Sequence, residues 1–273
     1  MNELPAAAVA ALSGRRAAIL FAAANLLFLL VDVALAHSAF LRSRAELVPL
    51  AVSAIAGPVT VVLAFLPNGV WPRLLLWTVA GGCMATGVVG TLLHLGAESL
   101  VRPTLHGLVY SAPIIAPLSY AGLGVLLLAA EHLRNDSARG RAIELLAGLG
   151  LLGNFVLCLL DHARNGFWAP VEWVSVAAGA IGGVALSAAA AVPEERPGER
   201  RFLWVLLAAL VATAVLGSAL HLHADLTAAG GTLLQRFQYG APIFAPMLFA
   251  DLAVLGALGL LTRVRPRPEA SER

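Results

Sequence analysis

Eight runs of about twenty mostly apolar residues follow one another along this 273-residue chain, and that succession leaves few folds open. A run of that length, wound as a helix, matches the roughly 30 Å hydrocarbon core of a bilayer. In lipid every backbone donor and acceptor must be satisfied within the protein, so each run predicts a helix. The spacing places spans over roughly 17–39, 46–66, 74–96, 104–130, 142–163, 171–192, 202–223 and 238–262. Composition agrees, since 59% of residues are hydrophobic, 12% are charged and the mean hydropathy is +0.84. Those values exclude an ordinary soluble domain and a disordered chain.

The runs are not independent of one another. Tyr110-Ser-Ala-Pro-Ile-Ile-Ala-Pro117 returns 129 residues later as Tyr239-Gly-Ala-Pro-Ile-Phe-Ala-Pro246. Asn25 and Asp32 return at the same offset as Asn154 and Asp161, and the stretch from Gly90 to His94 returns as Gly217 to His221. Glu46 matches Glu172, and Arg73 with Trp77 matches Arg200 with Trp204, at slightly smaller offsets whose slips fall in loops. The expectation is an all-α integral membrane protein of eight transmembrane helices, built as two tandem four-helix bundles. An even number of helices per unit gives both units one orientation, hence a parallel repeat about a pseudo-two-fold axis along the membrane normal. The expected segments are 1–16, a cytoplasmic N-terminal stretch; 17–130, the first repeat; 131–141, a charged cytoplasmic linker; 142–262, the second repeat; and 263–273, a cytoplasmic tail.

In each copy of the motif two prolines stand four residues apart, Pro113 with Pro117 and Pro242 with Pro246. Proline removes a backbone donor and clashes with the carbonyl one turn back, so both helices are expected to kink or open there. Opened backbone persists in a membrane only where protein or a wet cavity satisfies it.

Arginine carries all the positive charge, and lysine is absent. With a cytoplasmic N-terminus, thirteen arginines fall on the inner side and only Arg42, Arg44, Arg102, Arg164 and Arg236 outside. That bias predicts a multi-pass protein of the bacterial inner (cell) membrane with both termini cytoplasmic. The arginines are scattered through short loops, which argues against nucleic acid as a partner. The expected partners are the bilayer and other membrane subunits. Gly14-Arg-Arg16 before an apolar run resembles an export signal, but Asp32 within that run and its match to the fifth run favour a retained first helix. Cys83 and Cys158 lie within apolar runs and read as packed thiols.

Polar residues are costly inside a membrane and mark function there. Six of the seven histidines, all but His132, fall on the expected outer side. Two helix ends read His94-Leu-Gly-Ala-Glu98 and His221-Leu-His-Ala-Asp225, with imidazole and carboxylate four apart on one face. Adding Asp32 to His94 and Glu98, and Asp161 to His221 and Asp225, gives two sets of candidate ligands for iron, zinc, manganese or copper. The plain alternative is that these side chains wet and cap helix ends. His94 and His221 also form a symmetric pair able to clamp one haem b, although the nearby carboxylates disfavour it. Tyr110 and Tyr239 are candidates for a quinol or cofactor pocket. Asn25 and Asn154, deeper in the membrane, are candidates for cofactor contact or for bonding across helices. Asp251 is the deep carboxylate of the last run, where the first half has Gly122, and it needs a partner.

The leading expectation is therefore an outward-facing histidine and carboxylate pocket that binds a divalent metal for metal handling or redox chemistry. One rival is a small-solute or ion transporter gated by kinked helices four and eight, with Asp251 coupling protons. The other is a haem- or quinol-binding membrane subunit of a redox complex. No phosphate loop, hydrolase triad or zinc-finger spacing is present.

Overall fold

A computed structural model describes residues 14–38, 43–96, 104–193 and 198–263. Among the described residues every regular element is helical. Helix α1 (Gly14–Ser38) buries Ala18, Ile19, Ala22, Leu26 and Leu29, a stripe at three- and four-residue spacing. A short 3-10 turn at Arg44–Leu47 leads into α2 (Val48–Phe65), which begins with proline in its first turn and packs on α1. The buried face of α2 is Ser53, Ala56, Gly57, Thr60, Leu63 and Ala64. Such small side chains let two backbones approach, and in lipid close packing of this kind is what holds helices together.

Helix α3 (Val70–His94) presents Leu76, Ala80, Cys83 and Gly87. At Gly87 the backbones are so close that a Cβ would stand 2.6 Å from the Ala121 nitrogen. The next predicted span is split into α4 (Leu105–Tyr110) and α5 (Leu118–His132). Helix α6 (Asp136–Arg164) follows almost at once, its N-cap Asn135 accepting from the Ser137 N–H. Most of the charged stretch 131–141 is thus helical rather than a loop. Helices α7 (Glu172–Ala191) and α8 (Glu199–Thr227) come next. The last predicted span is split again, into α9 (Leu233–Tyr239) and α10 (Met247–Arg263).

Among the described residues six helices are long and apolar enough to cross a membrane: α1, α2 with its leading turn, α3, α6, α7 and α8. The fourth and eighth predicted spans are not continuous helices. At 1.5 Å per residue, the 15 residues of α5 rise about 22 Å and the 17 of α10 about 25 Å, short of the ~30 Å core. The proline pairs that mark these segments are what divide them.

Helices α1, α2, α3 and α5 form one connected set of contacts, and α6, α7, α8 and α10 form another. The sets meet where α5 touches α6, where α10 touches α1, and where α1 touches α6. At one end of the molecule arginines close the helix termini. Arg15 and Arg73 both pair with Glu131, at 2.7 and 2.8 Å. Arg263 pairs with Glu144 at 2.7 Å. Arg16 and Arg141 donate to the carbonyls of Ala64 and Ala190 near the C-terminal ends of α2 and α7. The opposite end carries both helix breaks and most of the described histidines.

Candidate functional site at the two broken helices

Each break spans seven residues, from Ser111 to Pro117 and from Gly240 to Pro246. Inside each, the helical ladder gives way to tighter bonds between residues three apart. Ala116 N–H donates to Pro113 O at 3.2 Å, and Ala245 N–H donates to Pro242 O at 3.1 Å. In a regular helix Pro113 O would accept from residue 117, and Pro242 O from residue 246. Both of those residues are prolines and have no N–H to give.

A histidine from the preceding long helix supplies the missing donor. His94 Nδ1 lies 2.9 Å from Pro113 O, and His221 Nδ1 lies 2.9 Å from Pro242 O. A carbonyl only accepts, so Nδ1 carries the proton in both rings and Nε2 holds the lone pair of the neutral imidazole. The glycine one turn before each histidine makes room for the second proline. A Cβ on Gly90 would stand 2.9 Å from Pro117 Cβ, and one on Gly217 2.8 Å from Pro246 Cβ. The sequence expectation that the proline pairs open their helices is met, with the two histidines as unforeseen clamps. The return of both histidine and proline pair in the second half, at offsets of 127 and 129, was the signal that could have linked them.

Around this common core the breaks are held differently. Arg164, at the end of α6, donates to Val109 O at 2.8 Å and Ser111 O at 2.6 Å, capping α4, while Tyr110 OH donates back to Arg164 O at 3.3 Å. At the second break Asp225, 1% exposed, does the equivalent work with its Oδ1. It accepts from Ala241 N–H at 2.9 Å and sits hard against Gly240, where a Cβ would overlap it. Asp225 Oδ2 is buried with no hydrogen-bond partner among the described residues. Gln238 Nε2 ties α9 to Ser38 Oγ at the end of α1, at 3.0 Å.

Deeper in the molecule, Asn25 Nδ2 donates to Asp251 Oδ1 at 2.9 Å, joining α1 to α10. Asp251 thus has the partner its position demands, and Asn25 bonds across helices. Asn154 is 3% exposed, with Cys158 Sγ 4.0 Å from its Oδ1. Its Nδ2 has no partner among the described residues.

The candidate metal ligands are not gathered. Among the described residues no group of three or more His, Cys, Asp or Glu stands close enough to hold a metal ion. In the second half, His221 is turned to Pro242 O, Asp225 is held by Ala241, and Asp161 lies 4.0 Å from Arg164. In the first half, Asp32 is half-buried on α1, His94 is bound to Pro113 O, and Glu98 lies outside the described residues. The carbonyls freed by the prolines engage the two histidines, and the backbone N–H of Ala241 engages Asp225. Tyr239 is exposed, as is Tyr110, whose ring lies 4.4 Å from that of His106. His162 pairs instead with Glu172 at 3.3 Å and Ser175 at 3.3 Å. The chain matches no protein-family model, no curated protein and no solved structure.

Proposed function

We propose that this chain is a multi-pass carrier of a small solute or ion, in which the two broken helices are the moving parts. The single observation that carries the reading is the repetition of one device. A span interrupted by a proline pair and clamped by an imidazole at 2.9 Å occurs at two matched places. Interrupted helices facing one another across a repeat are how many secondary transporters build a site inside the membrane. One of the two broken spans carries the Asn25–Asp251 bond, a carboxylate placed at the α1–α10 contact and suited to carry a coupling proton.

On this reading α4 with α5 and α9 with α10 are the fourth and eighth spans, and the chain is two tandem four-helix units. The charge pattern at the arginine end supports that. Arg15 on α1 pairs with Glu131 at the end of α5, while Glu144 on α6, 129 residues after Arg15, pairs with Arg263 at the end of α10. The same latch recurs with its signs reversed. The thirteen-to-five arginine bias supports a reading with both termini in the cytoplasm and the breaks toward the outer face of the cell membrane.

The test needs no knowledge of the solute. In a variant with Cys83 and Cys158 replaced by alanine, single cysteines at Phe28 and Ala250, beside the Asn25–Asp251 bond, are probed in oriented vesicles with a membrane-impermeant thiol reagent. A carrier exposes them to each face in turn, so reagent on either side labels them. Labelling from one face only, or from neither, overturns the carrier.

The fixed tautomers favour a second reading, a bound divalent metal. A ligating histidine ordinarily donates its other nitrogen to a carbonyl or carboxylate, as His94 and His221 do. Metal analysis of purified protein decides this. His94→Ala and His221→Ala each lower the metal content if it is right, and His132→Ala, at the far end, does not. Equal content in all three and in wild type removes the metal.

A further inference from the structure

Four arginines at the charged end of the molecule are neutralised by carboxylates. Arg15 and Arg73 share Glu131, Arg139 pairs with Asp136, and Arg263 pairs with Glu144. Arg141 is different. Its Nε donates to Ala190 O at 2.8 Å and its Nη2 to Ala191 O at 3.4 Å, both carbonyls in the last turn of α7. Among the described residues no carboxylate pairs with it, and its Nη1 makes no hydrogen bond. A guanidinium carries five N–H donors in a planar fork, so several are left to meet an acceptor.

Arg141 also lines a groove of about 260 Å³, together with Ala138, Ala142, Leu145 and Ala190. One water fills ~30 Å³, so the space admits a group of several atoms. Three of the five lining residues are alanines, and their short side chains leave that room. The first half shows the alternative. There Arg16 Nε caps Ala64 O at 3.1 Å, and its guanidinium lies 5.8 Å from the centre of the Phe65 ring. At the offset of 126 that relates Glu46 to Glu172, Phe65 becomes Ala191. One capping arginine is roofed by an aromatic ring, and the other borders open space.

The groove lies at the depth of lipid headgroups. Arg141 stands in the second turn of α6 and Ala190 in the last turn of α7. The 29 residues of α6 rise about 43 Å against a ~30 Å hydrocarbon core, so its ends project beyond that core. Leu145 and Leu149, one and two turns deeper on the same face, are 42% and 52% exposed. They offer an acyl chain an apolar track below the charge.

We propose that the α6–α7 groove binds an anionic phospholipid, with its phosphate on the Arg141 guanidinium and an acyl chain along Leu145 and Leu149. Basic pockets between membrane helices hold acidic headgroups in this way. The uncompensated charge of Arg141 selects a lipid of net negative charge over a zwitterionic one. Free phosphate would satisfy the arginine but leave the leucines uncovered. The site is separate from the broken helices and needs only that the long helices sit in a bilayer.

Native mass spectrometry of the full-length protein, titrated in neutral detergent with dioleoyl phosphatidylglycerol or dioleoyl phosphatidylcholine, counts the bound lipid. Wild type holds its first phosphatidylglycerol about tenfold more tightly than its first phosphatidylcholine, the factor expected for a bond to an ionised group. Arg141→Gln erases that preference. So does Ala138→Phe, which fills the groove and keeps the arginine; it changes an exposed residue, so it tests the site even where Arg141→Gln disturbs the α7 cap. Arg134→Gln, an exposed arginine of the same end that does not line the groove, leaves the preference in place. Four results each overturn the site: no preference in wild type, a preference that survives Ala138→Phe, equal losses from Arg134→Gln and Arg141→Gln, or displacement of the lipid by equimolar inorganic phosphate.

Discussion

Glu144 and Arg263 make the sharpest test of how α6 and α10 are joined. Their side chains are 0% and 4% exposed, with Nη1 and Oε2 2.7 Å apart. Arg263 Nη2 also donates to Val192 O at 3.1 Å. Glycines shape the space around the pair. A Cβ on Gly259 would lie 2.6 Å from Glu144 Cγ, and one on Gly140 would lie 2.5 Å from Arg263 Cγ. Glu144→Gln keeps the volume and an acceptor oxygen but removes the carboxylate charge that faces the buried guanidinium. Removing one partner of a buried pair costs about 3–5 kcal/mol, because the survivor keeps its desolvation penalty. Arg263→Met removes the guanidinium that faces the buried carboxylate and costs a similar amount. The double variant Glu144→Gln with Arg263→Met removes both charges at once, and replacing both members of a buried pair is often close to neutral. The double variant is therefore expected within about 1.5 kcal/mol of wild type, far from the sum of the singles, with a coupling of several kcal/mol. Denaturant titration in mixed micelles, followed by tryptophan fluorescence and circular dichroism, measures all four proteins; the chain's five tryptophans supply the signal. A Glu144→Gln cost below about 1 kcal/mol, in the range of ordinary surface changes, would refute the reasoning. Additive single and double variants would refute it equally.

Gly240→Ala drives a methyl group into Asp225, and a loss of about 1–3 kcal/mol in the same titration is expected from overpacking, with partial relief when Asp225→Ala is added. At Glu131, burial favours the protonated acid, but the hydrogen bonds and charges of Arg15 and Arg73 outweigh it and hold the carboxyl below its ordinary 4.5. A depressed value means the contribution is fully present above about pH 4.5 and fades as pH falls through the folded value, so melting curves of wild type and Glu131→Gln converge only in acid. Convergence above pH 5 would contradict that assignment. Reporter fusions after residues 70, 137 and 197 are expected to read cytoplasmic, and those after 166 and 230 external, by the arginine bias; an external reading at 137 defeats the eight-span topology.

Reading the chain alone found the helices because their length and apolarity are set by the bilayer, a constraint each run meets by itself. The opened prolines were legible for a similar reason: a missing N–H is a property of one residue. What the sequence concealed was competition. His94 with Glu98, and His221 with Asp225, resemble ligand pairs because four-residue spacing aligns them on one face. That alignment carries no information about the carbonyls of Pro113 and Pro242, which lie 19 and 21 residues away and claim the imidazoles. Asp251 was recognisable as needing a partner and Asn25 as bonding across helices. Their union, across 226 residues of chain, depends on how α10 meets α1. Among the described residues the continuous spans number six because two runs of adequate hydropathy contain the backbone defect that shortens their helices.

The imidazole clamps have one more consequence. A histidine donates through Nδ1–H whether its ring is neutral or cationic, so a proton arriving at Nε2 leaves the bond to the proline carbonyl in place. Each break is thus secured through one edge of the ring alone. Structural restraint and proton exchange occupy opposite edges of one ring, and neither has to yield for the other to act.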